Sequence, residues 1–141
     1  MVSVNVEGHG KAGFRVTYEE LLQRHLSRYQ HVLHVNLDQP VRNFSIEVSI
    51  NESLPIIQLR VPELKTDSNS IESSLKENPF AIVQESIGGD PTKAGIIFHP
   101  DVETQQGWID TNNKKAFQGQ LIVEYDVDRK NESSDVQVSR L

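Results

Sequence analysis

The chain is expected to be mainly β, an antiparallel sandwich-like fold with at most one or two short helices. Two observations predict it. Apolar residues recur at every second position in several separate stretches. Short turn signals punctuate these stretches. No apolar stretch approaches the roughly 18 residues that a membrane helix requires.

The elements follow in chain order. Val2, Val4 and Val6 alternate with Ser3, Asn5 and Glu7, so the sequence opens in strand pattern and not in a basic leader. Phe14, Val16 and Tyr18 continue at period two, predicting a strand to about Glu19. From Tyr18 to Tyr29 the residues Tyr18, Leu21, Leu22, His25, Leu26 and Tyr29 also fit helical spacing. Thr17 and Glu20 could form a capping box, so one or two helical turns are expected there. Tyr29, His31, Leu33, Val35 and Leu37 form the next alternating stretch, and Phe44, Ile46, Val48 and Ile50 the one after it. Ile56–Val61, Phe80–Glu85 and Ala94–His99 are shorter candidates, and Leu121, Val123, Tyr125 and Val127 mark the last. Lys65–Asn78 is polar and fits a short helix or a loop. Glu103–Lys115 is polar apart from Trp108 and Ile109 and reads as a long loop.

With 141 residues, 14 Lys plus Arg and 20 Asp plus Glu, the chain carries a net charge of −6. That balance argues against nucleic-acid binding, which shows a basic patch or stripe. Cysteine is absent, which removes disulfides, thiolate nucleophiles and cysteine metal sites. No cofactor fingerprint is present, and neither a cofactor nor a membrane partner is expected.

Candidate chemistry is sparse. His31 and His34 would lie together on a helix, but odd spacing on a strand sends them to opposite faces, so surface or edge histidines are expected. Glu19-Glu20 and Asp126-Val127-Asp128 read as solvated acids. Ser86-Ile87-Gly88-Gly89-Asp90 lacks the Lys-Ser/Thr of a phosphate loop and reads as a turn. His99 and Asp101 are the residual catalytic candidates, with no nucleophile in view. Asn43, Asn51 and Asn131 open N-glycosylation sequons, Asn43 on the polar face of a strand. Trp108 reads first as a plug on the sandwich end and second as a partner-binding anchor.

Several segments in order resemble the inter-alpha-trypsin inhibitor heavy chains. Phe14 to Arg24 and the strand after it resemble the end of the family's vault/inter-alpha-trypsin (VIT) domain. Gln39 to Val48 is similar to the strand that follows. Ile97-Phe98-His99-Pro100 with Thr104-Gln105-Gln106, and Gly119 to Arg129, continue the match. Ser134 to Val138 is similar to the approach to the von Willebrand A domain.

The resemblance implies two parts: residues 1–38 as the C-terminal part of a VIT-like domain, and 39–141 as a β-rich region preceding a von Willebrand A domain. It further implies a secreted, non-catalytic scaffold. Its assembly would be linked to hyaluronan or chondroitin sulfate and would include a Kunitz-type light chain. The family's D-x-S-x-S metal site and its ester-forming C-terminal aspartate have no counterpart here. Some relatives carry a cysteine pair after Gln-Gln, where this chain has Gly107-Trp108. A fragment is therefore expected, with strand edges exposed to pairing. The alternative is a self-contained intracellular β-sandwich that binds a protein partner.

Overall fold

The structure is a computed structural model and describes residues 1–8, 14–23, 28–65, 76–111 and 116–129. Among these residues there are eight strands and one α-helix. They are β1 (Val2–Glu7), β2 (Phe14–Gln23), β3 (Arg28–Leu37), β4 (Ser45–Asn51) and β5 (Ile56–Arg60), then β6 (Ala81–Gln84), β7 (Lys93–Phe98), α1 (Val102–Thr111) and β8 (Phe117–Val127). A 3-10 turn, Ile87–Gly89, lies between β6 and β7.

Two four-stranded antiparallel sheets form, in the orders β1-β4-β7-β6 and β2-β3-β8-β5. The predicted alternation sets their facing. Ile46, Val48 and Ile50 of β4 are buried while Glu47, Ser49 and Asn51 are exposed. Ala94, Ile96 and Phe98 of β7 line the same inner face. The other sheet answers with Leu33, Val35 and Leu37 of β3 and Leu121, Val123, Tyr125 and Val127 of β8. Side chains from the two inner faces close one core, as sheet-on-sheet packing requires.

β5 is irregular. Gln58 takes a left-handed φ of 53°, and the register against β8 shifts between Ile57 and Arg60. The chain then continues along β8 to a single bridge between Lys65 and Gln120. The expected boundary at 38/39 falls between β3 and β4. Strands from its two sides share both sheets: β1 pairs with β4, and β3 with β8.

Three expectations change. First, β2 does not give way to helical turns after Glu19. It stays extended to Gln23 and pairs with β3 as far as Arg28. The ladder supplies partners that helical propensity alone cannot outweigh, and Thr17 sits in mid-strand opposite His34 instead of capping a helix. Second, the expected loop from Glu103 contains α1. Asp101 Oδ1 accepts a hydrogen bond from the Thr104 amide at 2.7 Å, which caps the helix. Third, Asn43 lies in a turn before β4 rather than on a strand face, at φ 53°. Asparagine tolerates that region better than most residues.

Residues 66–75, where a short helix or loop was expected, lie outside the described residues. A chain beginning at residue 39 loses β1 to β3, which removes β2 and β3 from the second sheet and leaves β8 paired only with β5. It is expected to show no cooperative thermal transition by near-UV circular dichroism, whereas a sharp melt of that piece would show that the two parts fold separately.

Candidate functional site

One group of interacting side chains lies where α1 meets the end of the sandwich. Gln105, Trp108 and Ile109 fall at i, i+3 and i+4 and form the inward face of the helix. Gln105 is fully buried. Its Oε1 accepts from the Val41 amide at 2.7 Å, and its Nε2 donates to the carbonyls of Val41 and Pro100, each at 3.0 Å. The side chain thus pairs with Val41 as a strand neighbour would, in the segment where the chain crosses from one sheet to the other.

Trp108 is half-buried among aromatic rings. It stacks on Phe117 at 5.0 Å and on Phe98 at 6.4 Å, and meets the edge of Phe80 at 5.6 Å. Gly119 makes room for the Phe117 ring, since a Cβ there would stand 2.6 Å from it. Three of the indole's neighbours therefore belong to the fold itself, which is the geometry of a plug.

A second group runs across the other end of β2, β3 and β8. His31 is buried and stacks between Tyr18 and Tyr125, with centroids at 5.8 and 5.5 Å. These are diagonal cross-strand neighbours in the ladder. Tyr29 continues the row beside Tyr125, with the Arg129 guanidinium over its ring at 5.7 Å. His31 Nδ1 shares a hydrogen bond with the Tyr18 hydroxyl at 2.6 Å, and its Nε2 is buried with no partner among the described residues. Burial pushes the imidazole pKa below its ordinary value, against the opposing pull of Glu20 and Glu52. The Tyr125 hydroxyl donates to Glu52, and burial together with that bond raises its pKa.

The remaining candidates serve structural ends. His31 is a core residue, not a surface one: its strand position faces the inner side, and the tyrosines cover it. His34 points outward and pairs with Glu19 at 3.1 Å. His99 Nδ1 bonds the Phe44 carbonyl at 2.7 Å. Asp101 caps α1, and the hydrogen bonds from Thr104 hold its carboxyl below the usual range. Asp126 binds Arg129 at 2.7 Å, and the Asp128 amide donates to Pro55. Gly88 and Gly89 both take positive φ in the 3-10 turn, so the glycine-rich segment is a turn, as expected.

Among the described residues, no group of three or more His, Cys, Asp or Glu is placed to hold a metal ion. Asn43 and Asn51 are both exposed, while Asn131 lies outside the described residues. Sequence reasoning missed Gln105 as a buried residue. Its only signal was the position three residues before an isolated Trp-Ile pair.

Among the described residues these placements define a two-sheet antiparallel sandwich with one helix across its end. The sequence belongs with the inter-alpha-trypsin inhibitor heavy chains. It is 34% identical to heavy chain H1 of Mesocricetus auratus over 91% of its length. It is 32% identical to heavy chain H4 of Bos taurus over 97%, and 33% identical to heavy chain H3 of Homo sapiens over 91%. The chain spans only 13–14% of the length of these relatives. No protein-family model and no solved structure matches it.

Gln105→Ala leaves the Val41 amide and two carbonyls without their buried partner. It is expected to lower unfolding free energy by about 3 kcal/mol, read from the urea midpoint, at roughly 1–3 kcal/mol per orphaned group. For His31, the folded protein favours the neutral ring. The stability that this ring contributes is complete above the ordinary imidazole pKa of 6.5 and is lost as pH falls below it. Urea midpoints should therefore drop between neutral and mildly acidic pH in the native chain, and drop less in His31→Phe.

Proposed function

We propose that the chain is a non-catalytic scaffold and interaction segment of an extracellular heavy-chain-like protein. The observation that carries this reading is the similarity to inhibitor heavy chains along 91–97% of the sequence. Three further features support it. The residual catalytic candidates His99 and Asp101 are held in backbone and capping hydrogen bonds. Two sequon asparagines, Asn43 and Asn51, stand exposed at turns or strand ends where a glycan reaches solvent. The plug geometry of Trp108 favours a role in holding the fold over a role as a partner anchor.

In this reading the segment spaces and supports other parts of a larger protein. By resemblance that protein assembles with a Kunitz-type light chain and with hyaluronan or chondroitin sulfate through residues outside this chain. Inhibition of a protease belongs to the assembly, since no reactive loop is expected from this segment. Asn131 is proposed as a third glycan site on its sequon alone.

Native protein isolated from extracellular fluid should carry glycans at Asn43 and Asn51, seen as deamidation of those asparagines after enzymatic deglycosylation and peptide mass spectrometry. Native protein confined to the cytosol, with both asparagines unmodified, would overturn the reading.

A further inference from the structure

β2 is the long open edge of this sandwich. The second sheet ends on it, and among the described residues no strand pairs with its outer side. The other edges are shorter or broken. β6 has four residues, β1 has six, and β5 is interrupted by Gln58. β2 has ten, with no proline, glycine or lysine among them. Proline and lysine are two of the devices by which edge strands block pairing; the charges that β2 does carry, Arg15, Glu19 and Glu20, limit which register can form. Arg15, Thr17, Tyr18, Glu19 and Glu20 are all exposed along it.

We propose that β2 pairs antiparallel with β2 of a second copy of this chain, about a two-fold axis through Thr17. The two second sheets then join into one sheet of eight strands. The charge pattern selects the register. A two-fold axis normal to the sheet keeps outward side chains outward, so only residues of like parity can oppose each other. Arg15, Thr17 and Glu19 share the outward face, and Val16, Tyr18 and Glu20 the inward one.

An axis at Thr17 places Arg15 opposite the partner's Glu19, and Glu19 opposite the partner's Arg15. It also opposes Val16 and Tyr18 twice, a β-branched and aromatic pairing. Tyr18 is 40% exposed in the single chain, so it has surface to bury. Moving the axis to Val16 or Tyr18 removes both ion pairs. Moving it to Arg15, Glu19 or Glu20 sets like charges face to face. The Glu19 carboxylate already holds His34 at 3.1 Å, which fixes it on the face where the partner's Arg15 arrives. Such an interface is small and belongs to the transient class.

The chain contains no cysteine, which makes the test clean. Directly opposed residues of an antiparallel pair have Cα atoms about 4.5–5.5 Å apart, within disulfide reach. In Thr17→Cys, mild oxidation should give a covalent dimer on a non-reducing gel. It should form about tenfold faster than in Ser49→Cys, whose exposed site lies on a central strand of the other sheet. Sedimentation of the native 141-residue chain at up to roughly 0.5 mM should show a reversible dimer that weakens with salt.

Arg15→Glu and Glu19→Arg should each raise the dimer dissociation constant about tenfold, and the two together should restore it. A chain that stays monomeric throughout that range would overturn the proposal. So would a double reversal no better than its single changes, or oxidation rates equal at the two cysteine positions.

Discussion

The pairing of β3 with β8 is the constraint on which the rest of the structure depends. Residues 29–37 meet residues 117–125 in an unbroken antiparallel register, Tyr29 opposite Tyr125 and Leu37 opposite Phe117. Both strands are flanked on their other sides, β3 by β2 and β8 by β5, so this ladder is the middle of its sheet. Its inward side chains are also the main floor of the core. The closure joins segments at least 80 positions apart in the chain, and the entropy of closing so long a loop must be met before its contacts form. Apolar burial from both sheets offsets that cost only when both are present.

Polar groups buried along this frame are matched closely. Gln30 donates to Glu124 at 3.0 Å on the outward face, and Arg60 approaches the same carboxylate at 3.6 Å. Gln105 uses both ends of its amide on backbone groups of the 38–44 segment and of Pro100. Two atoms of β3, Nε2 of His31 and Oδ1 of Asn36, depart from this pattern, each buried without a hydrogen-bond partner among the described residues. A buried nitrogen without a partner is tolerated because the ring stays neutral and gains two stacking neighbours. The same arrangement makes the core sensitive to acid, because a charge on that ring would be buried with a tyrosine hydroxyl as its sole hydrogen-bond partner among the described residues.

The consequence for function is that side chains with chemical potential are already engaged. Histidine and aspartate at the start of α1 hold a carbonyl and a helix cap. The tyrosines stack, and the exposed acids are paired or solvated. Among the described residues, what the molecule offers to others is shape and edge: the outward faces of two sheets, two exposed sequons and one long strand open on its outer side. These features are the ones on which the proposed scaffold role rests.

Local chemistry determined much of this in advance. The alternation of Ile46, Val48 and Ile50, of Leu33, Val35 and Leu37, and of Leu121, Val123 and Tyr125 specifies strands and their buried faces, because side chains of an extended chain point to opposite sides in turn. Turn residues such as Gly88-Gly89-Asp90 announce themselves by the backbone angles they permit. Other features were decided only in three dimensions. β2 remains extended past Glu19 because β3 lies beside it. α1 forms in a polar stretch because Asp101 caps it and Val41 receives Gln105. His31 leaves the surface because Tyr18 and Tyr125, from two other strands, close over it. Val41 lies 64 positions from Gln105, and Tyr125 is farther still from His31; such partners leave no mark on local periodicity.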